Sequence, residues 1–167
     1  IGLGCNGIHY LDKFILFSGN EMPNIKWVNL SNEIIKSGRG NHFFDYGGDF
    51  ILSTSRGILI ASLSSNSSAN VNMSIKGKHF LINVDYTNNT YQISKRMSGS
   101  RLPLYRYGAD YKLIKNINFE MLNIKKVIKN LIEGTTTLPN LELAIKSHTL
   151  LDKILRRGGV KSPYSYT

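Results

Sequence analysis

The feature that most constrains the fold of this chain is a succession of strand-length segments joined by very short turns. The segments span residues 50–55, 57–64, 70–76, 79–86 and 90–96. The turns contain Gly or Asn, which tolerate the positive φ angles of tight hairpins, and they are Ser55-Arg56-Gly57, Lys76-Gly77-Lys78 and Asn88-Asn89. Because connections this short cannot make the crossover that parallel strands need, the pattern predicts an antiparallel meander.

Within two of these segments, apolar and polar residues alternate with the period of a strand that has two different faces. The apolar members are Val71, Met73, Ile75, Phe80, Ile82, Val84 and Tyr86. The residues between them are mostly polar and uncharged. A sheet of this kind covers its apolar face with helices and leaves the other face to solvent or to a partner.

Helical periodicity both precedes and follows the strands. Apolar residues recur at helical spacing over residues 6–18, 118–133 and 141–157. Asn118 occupies an N-cap position, and the stop signals are Gly19-Asn20, Gly134 and Gly158-Gly159. We therefore predict an α+β fold, an open, mostly antiparallel β-sheet with helices packed on one face.

Two apolar stripes mark the helix faces that we expect to be buried. The first helix carries Ile8, Leu11, Ile15 and Leu16, and the last carries Leu141, Ala144, Ile145, His148, Leu151 and Leu155. Because His148 lies within an apolar stripe, we interpret it as a hydrogen-bonded histidine of the core or its border rather than as a ligand.

Length and charge favour one globular domain over residues 1–167. The chain has 167 residues, of which 41% are hydrophobic, and this suffices for one core. Its formal net charge is +10, but the Lys and Arg residues are scattered or lie on predicted helix faces. This distribution is typical of a solvated surface rather than of a nucleic-acid site.

The cysteine content and the hydropathy limit which metal sites the chain can contain and where the protein is expected to be located. The single cysteine, Cys5, excludes an internal disulfide and a thiolate zinc site. No paired metal ligands recur at a metal-binding spacing, so we expect no metal. No run of about 18 apolar residues and no leader pattern occurs, so we expect no membrane span, no signal peptide and a cytoplasmic location.

The chain opens with Gly2, Gly4 and Gly7, which match the pattern G-x-G-x-x-G. A dinucleotide site needs a buried strand before these glycines and a second strand, ending in an acidic residue about 20 positions later. That later region reads Glu21-Met22-Pro23-Asn24, which is typical of a turn. The other interpretation is a tight loop that leads into the first helix.

His9 and Asp12 lie three residues apart on this first helix, so their side chains share one face. A histidine beside a loop suits a general acid or base that exchanges protons near neutral pH, and Asp12 could orient it. The alternative is a structural histidine that Asp12 caps. Spacing alone leaves both open.

Both ends of the chain resemble the C-terminal half of the glucose-fructose oxidoreductase and inositol dehydrogenase family. The similar segments are Gly4-Cys5-Asn6-Gly7-Ile8-His9-Tyr10-Leu11-Asp12 and Thr136-Thr137-Leu138-Pro139-Asn140-Leu141-Glu142-Leu143-Ala144-Ile145-Lys146-Ser147-His148-Thr149-Leu150-Leu151. The apolar helix and the antiparallel strands between them extend the resemblance over nearly the whole chain. The resemblance implies a substrate-binding and oligomerisation domain, whose NAD(P)-binding N-terminal Rossmann half is absent from these residues.

The resemblance assigns roles to particular residues. It implies that His9 exchanges a proton with a sugar hydroxyl while hydride passes to NAD or NADP, and that Asp12 helps hold the substrate. Cys5 stands where the family has Asp, and a thiol is mostly uncharged at pH 7, so Asn6 is the hydrogen-bonding group we assign to the substrate. The catalytic lysine of the family's Glu-Lys-Pro motif has no counterpart here.

We thus expect part of an NAD(P)-dependent oxidoreductase that acts on a sugar, sugar nucleotide or cyclitol and assembles as a homo-oligomer through its sheet. The resemblance implies no cofactor for this chain alone. Two other classes stay open. A binding module for acidic polysaccharide or nucleic acid would use the positive charge together with Arg101, Tyr105, Arg106, Tyr107 and Tyr111. A structural assembly domain would use the sheet alone.

Overall fold

The computed structural model describes residues 2–36, 44–64, 72–77, 79–103, 106, 110–118, 124–135 and 140–160. The elements are a π-helical turn (Leu3–Gly7), α1 (Ile8–Phe17), β1 (Asn24–Lys36), β2 (Phe44–Ser53), β3 (Ile58–Leu63), β4 (Asn72–Lys76), β5 (Phe80–Asp85), β6 (Thr90–Arg96), β7 (Tyr111–Asn118), α2 (Ile124–Ile132) and α3 (Leu141–Arg157). They form two compact units, one of Ile1–Ser67 with Thr137–Thr167 and one of Ser68–Thr136. The α+β fold with open antiparallel sheets is confirmed.

The core of the first unit lies between one face of a three-stranded sheet and helices α1 and α3. Strand β2 is central and antiparallel to both β1 and β3. The buried hydrophobic side chains are those of Leu3, Leu11, Ile15, Leu30, Tyr46, Phe50, Leu52, Leu143, Leu150, Leu151, Ile154 and Leu155. Each buried aliphatic side chain stabilises the fold by about 1.5–3 kcal/mol, so this layer holds the helices on the sheet.

Helix α3 has the predicted bounds, and Leu151 and Leu155 of the predicted stripe are buried, but the rest of its buried face differs. Leu141 and Ile145 are 77% and 57% exposed, and His148 is exposed as well, so its interpretation as a histidine of the core or its border was wrong. The core side is formed instead by Leu143, Ser147, Leu150, Leu151, Ile154 and Leu155. Likewise Leu16 of α1 is largely exposed, whereas Leu11 and Ile15 are fully buried.

Contacts at the two ends of α3 explain which face of the helix is buried. The Asn140 side chain accepts a hydrogen bond from the Leu143 amide at 2.9 Å, which starts the helix at its N-cap. At the other end, a Cβ on Gly158 would lie 2.3 Å from Leu30 Cδ1, so this glycine lets the helix end approach β1. Arg157 Nη1 also donates to the Ile25 carbonyl oxygen at 2.8 Å. The contacts of Gly158 and Arg157 are with distant residues, and the local periodicity does not contain them.

The second unit has an antiparallel sheet of β4, β5, β6 and β7 in sequence order, together with α2. One row of paired residues across the strands is apolar, and it consists of Met73, Val84, Tyr91 and Ile117. The neighbouring row on the other face is polar, and it consists of Ser74, Asn83, Gln92 and Asn116. The two unlike faces predicted from the alternation are therefore present.

The turn between β5 and β6 shows why its sequence forms a hairpin. The Asp85 carboxylate accepts hydrogen bonds from the Thr87 amide at 2.9 Å, from the Asn88 amide at 3.1 Å and from Asn88 Nδ2 at 2.7 Å. The bonds from Asn88, followed by the Thr87 amide, lower the pKa of Asp85 below its ordinary value. Asn89 takes the left-handed conformation that the turn needs, with φ of 51°.

Several predicted strands and helix bounds were wrong in detail. Strand β1 spans Asn24–Lys36, ahead of the predicted segments, and β2 begins at Phe44, before the segment predicted at 50–55. Strand β7 was not predicted, because the adjacent apolar residues Leu113 and Ile114 break its alternation where the β6–β7 register shifts. Asn118 ends this strand instead of capping a helix. Gly134, which was predicted to end the following helix, lies just after α2 and has a positive φ of 66°.

The single meander expected from the hairpin signals is divided into two sheets. The β2–β3, β4–β5 and β5–β6 hairpins are present as predicted. The described part of the chain shows no pairing of β3 with β4, and residues 64–71 between them carry no tight-turn pattern. In the described residues, no helix combines the length and the apolar character needed to cross a membrane.

The register of α3 can be tested with a matched pair of substitutions. Leu150→Ala removes a fully buried side chain and should lower the free energy of unfolding of the first unit by about 2–5 kcal/mol. Ile145→Ala removes an exposed side chain of the same helix and should change it by less than about 0.5 kcal/mol. Urea unfolding followed by the fluorescence of Trp27, the only tryptophan, measures both. A larger loss for Ile145→Ala than for Leu150→Ala would show that the predicted stripe is the buried one.

Candidate functional site

The segment that precedes His9 forms a π-helical turn rather than a plain loop. The amides of Asn6 and Gly7 both donate to the Gly2 carbonyl oxygen at 3.1 Å, and the Ile8 amide donates to the Leu3 carbonyl oxygen. The turn continues directly into α1, which begins at Ile8. Such wide turns are rare and occur frequently at functional sites.

A buried carboxylate from strand β2 holds this turn. Asp45 is only 6% exposed, and its Oδ1 accepts hydrogen bonds from the Gly4 amide at 2.7 Å and from the Tyr46 amide at 2.8 Å. Its Oδ2 accepts a hydrogen bond from the Cys5 amide at 3.0 Å. Because a buried carboxylate is costly without donors, and the first amides of a helix lack partners within the helix, each group satisfies the other.

Gly2 is required by the close approach of this carboxylate. A Cβ at Gly2 would lie 2.0 Å from both Asp45 Cγ and Asp45 Oδ2. The backbone at Gly2 is extended, with φ of −96°. Glycine is therefore needed because there is no room for a Cβ, and not because the backbone takes an unusual dihedral angle. The first glycine of the opening pattern thus has a packing function.

These contacts decide between the two interpretations of the glycine pattern. A pyrophosphate would bind at the amides that start the helix, and the Asp45 carboxylate occupies that position. Glu21, near where a ribose-binding acid would lie, accepts hydrogen bonds from the Ser55 amide and hydroxyl. These bonds, the hydroxyl first, lower the pKa of Glu21 below its ordinary value of 4.5. The geometry of this turn therefore does not fit a dinucleotide, and it agrees with a loop that leads into the helix.

His9 is exposed in the first turn of α1, and Asp12 follows it at half-buried position i+3. Among the described residues, no hydrogen bond or ion pair joins these two side chains. The alternative in which Asp12 caps a structural histidine is thus not what the structure shows. The imidazole is exposed to solvent.

The other residues near the turn differ in accessibility. Asn6 is exposed on the π-helical turn, whereas Cys5 is half-buried and has a free thiol. Further along α1, the Lys13 ammonium lies 5.3 Å from the centroid of the Tyr10 ring. The amide and carboxylate of Asn6 and Asp12 therefore flank His9 in sequence on the π-helical turn and on α1.

The residues of the binding-module alternative are only partly described. Tyr105 and Tyr107 lie outside the described residues, Tyr111 begins β7, and Arg101 and Arg106 are exposed. In the described ranges, no three His, Cys, Asp or Glu side chains are grouped closely enough to hold a metal ion.

Asp45 was missed by the sequence reasoning, because the first predicted strand segment begins at residue 50, whereas β2 begins at Phe44. One signal could have found it. A glycine turn that starts a helix requires an acceptor for its free amides, and the chain contains only 11 acidic residues. The pairing still spans 41 residues of sequence, so only the fold brings the two parts together.

Comparisons with protein-family models, curated proteins and solved structures gave no match to this chain. What the site can do therefore follows from its geometry. It presents the exposed imidazole of His9 and the polar side chains of Asn6 and Asp12, on α1 and on the preceding turn that a buried carboxylate anchors. This arrangement suits proton transfer to or from a hydroxyl group.

The role of Gly2 can be tested against a glycine that has free space. Gly2→Ala would force the new methyl group into Asp45 and should destabilise the first unit by about 1–3 kcal/mol. Gly57→Ala is the control, because a Cβ there has nothing within 4 Å, and its effect should stay within about 0.5 kcal/mol. Chemical denaturation of both variants measures this difference. A Gly2→Ala protein as stable as the wild type would contradict the close approach.

Proposed function

We propose that this chain forms the substrate-binding and oligomerisation part of an NAD(P)-dependent oxidoreductase that acts on a hydroxyl of a sugar, sugar nucleotide or cyclitol. The observation that carries the proposal is the exposed His9 imidazole on α1, a helix whose preceding turn is anchored by Asp45. The resemblance of both ends of the chain to the glucose-fructose oxidoreductase and inositol dehydrogenase family points to the same activity.

His9 is the acid or base in this proposal. During oxidation it accepts the proton of the substrate hydroxyl, and during reduction it returns that proton to the carbonyl oxygen. Its solvent-exposed position leaves the ring nitrogens accessible to a substrate. Anchoring of the preceding turn keeps the ring near one place, which reduces the entropic cost of aligning it with the hydroxyl.

Asn6 and Asp12 hold the substrate in this proposal. An amide both donates and accepts hydrogen bonds, and a carboxylate accepts them, which suits the vicinal hydroxyls of a sugar or cyclitol. Asn6 lies on the anchored turn and Asp12 one helical turn after His9, so both can contact a ring that His9 also reaches. Cys5 offers no charge of this kind, and we assign it no contact with the substrate.

The nicotinamide cofactor, which accepts the hydride, would be bound by polypeptide other than the glycine turn. Apolar side chains on α1 favour such a neighbour. Leu16 and Phe17 are both more than half exposed, and Leu16 follows His9 by seven residues, which places both on one side of the helix. A covering polypeptide would bury these side chains and exclude water from His9.

The acid–base role of His9 can be tested in the complete natural polypeptide with a panel of sugars, sugar nucleotides and cyclitols and either NAD or NADP. His9→Ala should lower kcat by about 10²–10⁴-fold, because a positioned proton acceptor contributes about that much. His148→Ala, which removes another exposed helical histidine, should leave kcat unchanged. Reduction of the nicotinamide, followed by its absorbance, measures both. Full turnover in His9→Ala would show that the assignment is wrong.

A second candidate function, assembly through the sheet, has an observation of its own. Trp27, Ile51 and Ile60 lie directly opposite one another across β1, β2 and β3. The first and last of these side chains are 46% and 75% exposed, and Ile58 next to them on β3 is exposed as well. Neighbouring side chains on β3, those of Leu59 and Ala61, pack against the core instead. The apolar row therefore lies on the sheet face away from the helices.

This apolar row can associate with a second copy of the chain. Exposed apolar patches of this kind mark interaction surfaces, and tryptophan is enriched among the residues that contribute most to binding. The polar neighbours in the next row, Asn29, Asp49 and Ser62, would form a rim. The proposal is thus a homo-oligomer through this sheet face, with or without the enzymatic role.

A charge placed in the apolar row should prevent this association. Ile60→Lys would bury an unpaired ammonium in the interface and should weaken association by at least about a hundredfold. Ile145→Lys, at an exposed apolar residue on α3, should have no effect. Sedimentation equilibrium of both variants measures the oligomeric state. A binding module for nucleic acid or acidic polysaccharide would instead bind that ligand with an affinity that falls steeply with salt and is the same in Ile60→Lys as in the wild type.

A further inference from the structure

The contact between Asp45 and the opening turn links two distant parts of the chain. Asp45 belongs to strand β2, whose neighbours Tyr46 and Phe50 lie in the core. Its carboxylate is therefore held by the central strand of the three-stranded sheet. From this position it accepts hydrogen bonds from the amides of Gly4 and Cys5, which belong to the turn before His9. The carboxylate thus connects the sheet to the turn that precedes α1.

The turn that it holds needs such support. A π-helical turn contains one more residue per hydrogen-bonded ring than an α-helical turn, and it is rarely stable by itself. Relaxation of Leu3–Gly7 to α-helical bonding would rotate the residues before α1 relative to those on it. Leu11 and Ile15 fix α1 in the core, so Asn6 and the first turn of α1 would take up this change.

We propose that Asp45 is a positioning residue for the candidate site, which acts through the π-helical turn to set the directions of Asn6 and His9. This inference rests on the proposed function for the meaning of the site, but the coupling itself is independent of it. Asp45 touches neither substrate nor cofactor in this scheme. Its contribution is the charge-assisted bonds to the amides of Gly4 and Cys5, which hold the turn open.

Asp45→Asn is the closest substitution that weakens this contact. An asparagine keeps one acceptor oxygen, but its amide nitrogen is a donor and would face at least one of the three donating backbone amides. At least one hydrogen bond is therefore lost, and the bonds that remain no longer involve a charged acceptor. Asp49→Asn is the matched control, since Asp49 lies on the same strand and the described hydrogen bonds give its carboxylate no contact with the turn.

Hydrogen exchange measured by NMR on the full chain separates a local effect from a global one. In Asp45→Asn, the amides of Gly4 and Cys5 should exchange at least about tenfold faster relative to the Leu150 amide in the core. The His9 ring resonances and the Asn6 side-chain amide resonances should shift at the same time. Asp49→Asn should change none of these. If the two amides exchange faster while His9 and Asn6 keep their resonances, Asp45 only caps the turn and the proposal is wrong.

Chemical rescue provides a second and independent test. Asp45→Ala leaves the amides of Gly4, Cys5 and Tyr46 without their acceptor and opens a space that a formate ion can enter. Formate should restore slow exchange at Gly4 and Cys5 and the wild-type His9 resonances, whereas chloride at the same ionic strength should not. Formate without effect on a folded Asp45→Ala protein would overturn the proposal. If Asp45→Ala does not fold, the exchange and resonance data of Asp45→Asn decide.

The failure of the proposed function gives a different result. A wild-type polypeptide that oxidises no sugar, sugar nucleotide or cyclitol would overturn the enzymatic role of His9. In that case the dependence of the His9 and Asn6 resonances on Asp45 would still establish the positioning. Unchanged resonances in an active enzyme would overturn the positioning and leave the activity standing.

Discussion

The start of this chain depends on one interaction, between the buried carboxylate of Asp45 and the free amides of the glycine turn. A carboxylate in the interior is stable only when donors replace the water that it has lost, and three backbone amides do so here. Two of them, the amides of Gly4 and Cys5, would otherwise be unsatisfied donors at a helix start. Gly2 is needed because any side chain there would displace the carboxylate.

This interaction changes the meaning of the opening motif. Helix starts rich in glycine are suited to bind anions, and in many proteins the anion is a phosphate. Here the protein supplies its own anion, the Asp45 carboxylate, to the amides of Gly4 and Cys5. The exposed His9 on the helix that follows is the reason why we propose proton transfer at this site.

The buried faces of α1 and α3 show how much of the packing can be predicted from the local spacing of apolar residues. In α1, Leu11 and Ile15 are buried as their spacing predicts, but Leu16 is not. In α3, the residues 141–157 carry apolar side chains on two neighbouring faces, so periodicity alone allows either to be buried. Gly158 decides, since it lets the helix end approach β1, and this contact lies outside the helix itself. Strand β7 shows the same limit, because its register shift hides the alternation.

The sequence by itself determined the α+β class, the hairpins at Gly57, Gly77 and Asn89, and the position of His9 near a helix start. Each of these depends on residues within a few positions of one another, where backbone sterics and side-chain period act directly. Tertiary structure alone decided the division into two sheets, the buried face of α3 and the contact of Asp45 with the glycine turn. These depend on pairs of residues far apart in the chain, which only the burial of a shared core brings into contact.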